Sequence, residues 1–506
     1  MAVKRLDPLA LLGLAVAILL LVTSLVPPYG YFIDELYFIA CSKRLAWGYV
    51  DQPPLSIVLL AAERALLGDG QVAARVLPAL AMGATAWITG LTARQLGGRA
   101  LSQILAGVAV ACMPVVQVFG TFYSMNAFEP LIVGAAFLLA VRMVQQGNPR
   151  LWLPVGALLG AGLELKHTMA LFAAALTGGI LVSGPRRLLA SRWAAVGLLV
   201  CVALILPNLA WQVAHGFPSI ELYRNSFTAK NIDKSFGQVI VDQLLVVGPV
   251  TLPLWVAGLV HLATPRGRPY RFVLFAYAFL LALMLAAHSS RPDRMTSLYP
   301  VLMAFGAVAL EQMARGVWAA VLRGYAVAMP VAALVFAPAF CPMLAPADLR
   351  PYLASLGLHF DIEAGKKGEP IPQWLADRIG WRELAEAVSR VFRSLPEVER
   401  RDAVLASTNY GVAGALELYG PPLGLPRVYA THNSFHSWGP PPAQTRTFVG
   451  VDVNIRDVRA RFRTVVEAGV YVCPDCTRSQ RRIPIYVLRD PLFDVTEAWP
   501  GFKNYH

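Results

Sequence analysis

Of 506 residues, 56% are hydrophobic and 15% are charged, against about 25% charged in an ordinary soluble domain, which excludes a chain that lives wholly in water. The formal net charge of +13 sits in short basic clusters between apolar blocks and not on one continuous stretch, so it reads as membrane orientation and excludes nucleic acid as the partner. Six cysteines are too few for a disulfide scaffold.

Up to about Phe340 the apolar residues fall in blocks near the length that crosses a bilayer, about 20 residues. Lys4 and Arg5 precede the first block, which lacks a small-residue cleavage site before Pro27 and Pro28 and therefore reads as an uncleaved span. Windowing predicts eleven spans, at 8–27, 73–93, 100–119, 127–144, 151–165, 168–183, 193–213, 242–263, 271–288, 297–313 and 317–339. Residues 53–67 are too short to span, carry Glu63 and Arg64, and read as an interfacial helix. Alternate connections hold Arg94 and Arg99, Arg142 and Arg150, Arg186, Arg187 and Arg192, Arg266, Arg268 and Arg271, and Arg315 and Arg323. The positive-inside rule puts these, with Lys4 and Arg5, in the cytoplasm. The expected protein is thus a polytopic α-helical membrane protein (residues 1–339) with a C-terminal soluble α/β domain (residues 340–506) outside.

The remaining connections carry Asp34, Glu35 and Asp51; Asn126 and Glu129; Lys166 and His167; 215–238; and His288, Arg291, Asp293 and Arg294. Ionisable groups beside a bilayer are costly unless they pair, line a cavity or do chemistry, so one outward-facing site built by several loops is expected; snorkelling or solvation of loop ends is the bland alternative. In the outer domain an amphipathic helix over 381–395 precedes a strand at AVLAS, a small-residue helix around GVAGALELYG, and strands near PRVYA, TFVGVDV and IPIYVL. That alternation predicts a small sheet flanked by helices. Cys473 and Cys476, in CPDC, read as a local disulfide in an oxidising compartment.

Chemistry concentrates first in YFIDELYFIACSKRLAWGYVDQPPL, residues 31–55. Adjacent carboxylates at Asp34 and Glu35 can divide labour, one accepting a proton while the other orients substrate or holds a metal; a solvated helix cap is the structural alternative. An Asp-Glu pair in the first outer loop, the step Asp51-Gln52-Pro53-Pro54 and about a dozen spans together resemble the GT-C superfamily, in particular bacterial relatives of the protein O-mannosyltransferases and of the lipid A aminoarabinose transferases (glycosyltransferase family 39/83-like). DELYFIA and WGYVDQPPL are closest to a bacterial branch that carries them almost verbatim. The resemblance implies that Asp34 is the general base or acceptor-orienting carboxylate.

Further segments resemble the same family. TFYSMNAFEP supplies Asn126 and Glu129 as candidate substrate contacts, and Glu129 would also favour its helix N-terminus by up to about 1 kcal/mol. GLELKHTMALF supplies Lys166, a compact ammonium suited to phosphate, with His167 beside it. SRPDRMTSLYP resembles the family's basic-aromatic-Tyr-Pro segment and brings Arg291, Arg294 and Tyr299. Arg291 stands where relatives usually have Lys, and Arg294 where an aromatic is more common; the two arginines read as a phosphate clamp or as interface anchors. ATHNSFHSWGP offers His432, Asn433 and Trp438 as sugar or acceptor contacts, or as residues that fold the domain. The aminoarabinose transferases carry Lys where this chain has Gln52, which argues against transferring their phosphate contacts or metal ligands wholesale.

The resemblance therefore implies a glycosyltransferase of a bacterial inner membrane. It would move a sugar from a polyprenyl-phosphate donor to an envelope glycolipid, glycan or protein on the outer face, with no certain cofactor beyond an optional divalent metal, for which no ligand is assigned. A transporter or flippase of lipid-linked sugars predicts mid-membrane charges and repeated halves, neither of which the sequence displays, and a non-catalytic sensor or scaffold is the third reading.

Overall fold

A computed structural model describes residues 7–361 and 368–506; Lys4 and Arg5, used above for orientation, lie outside the described residues. Contacts divide the chain into two compact units. One comprises the described part of Met1–Val26 with Val72–Trp211 and Asn231–Leu344; the other comprises Pro27–Gln71, Gln212–Lys230 and the described part of Ala345–His506.

The first unit is helical. Every expected span is matched by helix, but two are interrupted. The expected span 100–119 breaks after Ala111, where Pro114, lacking an N–H, starts a short second helix, Pro114–Phe119. The expected span 242–263 is two helices, Phe236–Val247 and Pro249–Ala263, meeting at 85°; Gly248 sits at φ 92° and Pro249 follows it, so the backbone turns there at little steric cost. Among the described residues five helices are long and apolar enough to cross a bilayer, or six if the bent pair is one span, and Pro8–Ser24, Ala100–Ala111 and Met169–Ser183 are shorter apolar helices at further expected spans. Arg192–Ala214 and Val317–Ala339 leave most of their apolar side chains exposed, as suits helices solvated by lipid.

Connections predicted to share one face do meet within this unit. Arg94 bonds Asp7, Gln95 bonds Gln145, Gln145 bonds Tyr270, and Glu311 accepts the N–H of Arg99. Tight helix crossings depend on glycine: a Cβ on Gly306 would collide with the carbonyl of Leu254, and one on Gly258 with that of Leu302.

The second unit holds a five-stranded sheet. Its strands are β1 (Val404–Ser407), β2 (Val428–Ala430), β3 (Thr447–Val451), β4 (Phe462–Val472) and β5 (Arg482–Pro491), in the order β2-β1-β3-β5-β4. β1 runs parallel to β2 and β3, with Leu405 opposite Val428 and Val449, while β5 is antiparallel to β3 and β4. β4 is not among the expected elements. It is an edge strand with mostly exposed side chains and a register shift at Glu467/Gly469, so its alternation is blurred. The amphipathic helix forms over Trp381–Ser394 and the small-residue helix over Tyr410–Tyr419. Cys473 and Cys476 are disulfide-bonded. The helices Ile33–Ser42 and Leu55–Leu67 belong to this unit.

Candidate active site

In the second unit the helix Ile33–Ser42 places Asp34 and Glu35 in its first turn, where the helix dipole favours carboxylates. The two then part company. Glu35 is fully buried and its Oε2 accepts the N–H of Phe32 at 2.7 Å, so it caps its own helix. Asp34 Oδ1 instead accepts the hydroxyl of Tyr410 at 2.8 Å. The Tyr37 hydroxyl lies 2.7 Å from Asp51 Oδ1 and 2.7 Å from Ser434 Oγ. Burial pushes the Asp51 carboxyl up to about 7, the hydrogen bond from Tyr37 opposing the rise and Asp34 adding to it.

The C-terminal ends of the parallel strands supply the rest of this cluster, the position where open α/β sheets commonly present functional groups. Asn409 and Tyr410 follow β1, His432 and Asn433 follow β2, and Asp452 follows β3. His432 is neutral by its bonding: Nδ1 accepts the N–H of Tyr410 at 3.3 Å and Nε2 donates to the carbonyl of His506 at 3.1 Å. Burial drives its pKa down to about 3. Asn433 holds a left-handed backbone at φ 47°, donates its N–H to the Asn504 carbonyl, and keeps Oδ1 buried without a hydrogen-bond partner among the described residues. Gln52 is buried, with Oε1 accepting from Ser56. Trp438 faces elsewhere: its ring stacks under the Arg44 guanidinium at 4.4 Å and packs against Phe435.

In the first unit the loops expected outside form a charged cluster. Lys166 Nζ is 2.7 Å from Glu129 Oε2, and Glu129 Oε1 accepts the hydroxyl of Ser297 at 2.9 Å. Arg291 grips Asp293 with two hydrogen bonds, at 3.0 and 3.1 Å. Burial alone would raise the Asp293 carboxyl; Arg291, with Lys166 and Arg294 behind it, outweighs that and holds it at about 2. Among the described residues Lys166, Arg291 and Arg294 all act on Asp293, and Lys166 also pairs with Glu129. Three expected residues are tied into the scaffold. Tyr299 is fully buried with its hydroxyl on Gln243, whose amide reaches the Pro292 carbonyl and so anchors the arginine loop. Asn126 folds back on Ser124, and His167 bonds Asn208.

Tyr37, Tyr410, Ser434 and Ser297 are not among the sequence candidates, because hydroxyl groups become informative only once their carboxylate partners are known. Among the described residues no group of three or more His, Cys, Asp and Glu could hold a metal ion.

Comparison with other proteins gives two findings. Residues 51–211 match the family model for dolichyl-phosphate-mannose-protein mannosyltransferases. Apo ArnT from Cupriavidus metallidurans superposes with a TM-score of 0.60 at 16% identity, over 94% of this chain and 97% of that one. This is the GT-C fold. The same ArnT bound to undecaprenyl phosphate gives a TM-score of 0.58 at 17% identity over the same shares. No curated protein matches the sequence. Family model and fold agree that the chain resembles GT-C glycosyltransferases such as the aminoarabinose transferases and mannosyltransferases. The matched segment takes in Asp51, Asn126, Glu129 and Lys166 of this chain and begins after Asp34.

Proposed function

We propose that the protein transfers a sugar from a polyprenyl-phosphate carrier to an envelope glycolipid, glycan or protein on the outer face of a bacterial inner membrane. The observation that carries this reading is the gathering of Lys166, Arg291 and Arg294 about Asp293 and Glu129 in a GT-C fold. Cations gathered in one partly buried place suit a phosphate whose negative charge grows as it leaves. The undecaprenyl phosphate held by the ArnT neighbour is a ligand of that class.

Asp34 is assigned the proton. The acceptor hydroxyl or amine attacks the anomeric carbon opposite the phosphate, the C–O bond to phosphate breaks with its electron pair going to the phosphate oxygen, and the acceptor proton passes to Asp34. Lys166, Arg291 and Arg294 are assigned the phosphate. Arg291 would serve with its orientation set by Asp293, and Glu129 would set that of Lys166. Glu35, committed to the Phe32 N–H, is assigned the shape of the loop and no proton transfer.

Envelope glycans and glycoproteins from cells with and without the chain, compared by mass spectrometry, name the sugar and the acceptor through what disappears. Asp34→Asn then tests the base: transfer falls by about 10²–10⁴, and a rate equal to wild type removes the assignment.

A further inference from the structure

The helices Ile33–Ser42 and Tyr410–Tyr419 come from opposite ends of the chain and pack within one unit at backbone contact distance. Glycine makes that possible. A Cβ on Gly411 would collide with the Ile33 side chain, and one on Gly414 would lie 2.8 Å from the Leu36 carbonyl carbon. Gly411 and Gly414 are three apart, hence on one helix face, and they meet Ile33 and Leu36 in the same order, so the helices run alongside in the same sense. Further along, Arg44 Nη1 bonds Glu417 Oε1 at 2.7 Å and ties the pair together.

Tyr410 is the first residue of its helix. The Asn409 side chain caps that helix by accepting from the N–H groups of Gly411 and Val412. His432 accepts the Tyr410 N–H and packs edge-on with ring centroids 4.9 Å apart, and the Tyr37 ring centroid lies 5.3 Å from that of Tyr410. The phenol is thus held from several directions with its hydroxyl on Asp34 Oδ1. We propose that Tyr410 is a positioning residue for Asp34: through the glycine-mediated contact of the two helices, the C-terminal domain aims the carboxylate and keeps it ionised. This rests on the reading of Asp34 as the proton acceptor. A hydrogen bond to the charged form of a carboxylate favours that form, and it fixes the orientation of the oxygen that accepts it.

The groups that act on this region within the unit are Asp51 and Tyr37 from the first loop and its helix, Glu35 beside Asp34, His432 after β2, and Lys230, which acts on both Asp51 and His432. Asp51 is coupled to Asp34, so the test must follow Asp34 itself.

The experiment uses the full-length protein in nanodiscs and reads the Asp34 carboxylate by infrared difference spectroscopy against Asp34→Asn, as a function of pH, beside a transfer assay. Tyr410→Phe keeps the ring and removes the hydroxyl. The expected result is an Asp34 midpoint raised by about one pH unit and an acid limb of the transfer profile displaced the same way, while Tyr419→Phe, at the far end of the same helix, moves neither. A Tyr410→Phe midpoint equal to wild type overturns the positioning role even if transfer is confirmed. A shifted midpoint in a protein with no transfer activity leaves the Tyr410 contact standing and removes the transferase reading instead.

Discussion

Lys166 and Glu129 form an ion pair of 2.7 Å with side chains only 12% and 3% exposed. Breaking a buried pair from one side leaves an uncompensated charge, which costs about 3–5 kcal/mol. Lys166→Met is therefore expected to lower the thermal unfolding temperature of the detergent-solubilised protein clearly. Lys166→Met with Glu129→Gln removes both charges and recovers most of that stability. If Lys166 meets the donor phosphate, transfer stays lost in the double variant. Stability and transfer recovering together would make the pair purely structural.

Asp51 supplies a pH signature. Its folded-state carboxyl is raised to about 7 by burial, so between the ordinary carboxylate value of about 4 and pH 7 the folded form holds a proton that the unfolded chain has released. Stability from this group is complete below about pH 4 and falls as pH rises through 7, at about 1.4 kcal/mol per pKa unit of difference. Asp51→Asn keeps an oxygen for the Tyr37 hydroxyl and cannot ionise. Thermal unfolding between pH 4 and 8 should show a decline in wild type that is flattened in the variant, and above pH 7 the variant should be the more stable of the two. An identical decline in both would place the titration elsewhere.

Two glycines give a matched pair for helix packing. Gly306→Ala drives a methyl into the Leu254 carbonyl, so the crossing of the helices Leu252–Ala263 and Tyr299–Met313 must open; overpacking of this kind costs about 1–3 kcal/mol or more. Gly324 lies in the helix Val317–Phe336 with nothing within 4 Å of an added Cβ. Gly324→Ala should be neutral or stabilise by up to about 1 kcal/mol through helix propensity. Yield and unfolding temperature of the two purified variants distinguish them, and equal behaviour would mean that the close crossing is not needed.

Local signals carried much of the architecture. Apolar blocks read as helices because a bilayer demands internally bonded, apolar segments, and the strands AVLAS and IPIYVL read as strands because both faces of the inner sheet are covered. Asp34 stood out because a carboxyl pair beside an apolar span is chemically costly there. The bend at Gly248, by contrast, is decided by the path the chain takes through its unit, which hydropathy averages away, and β4 escaped because an exposed edge has little alternation to display.

By itself the sequence determined that this chain has two kinds of segment, one suited to lipid and one to water, and that carboxylates and cations gather in particular loops. Tertiary structure decided how they are used. Asp34 and Glu35 are neighbours with the same chemistry in sequence, yet one accepts a hydrogen bond from Tyr410, 376 residues away, and the other is spent on its own helix. Arg291 likewise reads along the chain as part of a phosphate clamp or as an interface anchor, and only the structure shows its pairing with Asp293. The reason is physical: hydropathy and capping act over a few residues and can be read along the chain, whereas the partner of a buried charge is chosen by which distant segments pack close enough to desolvate it.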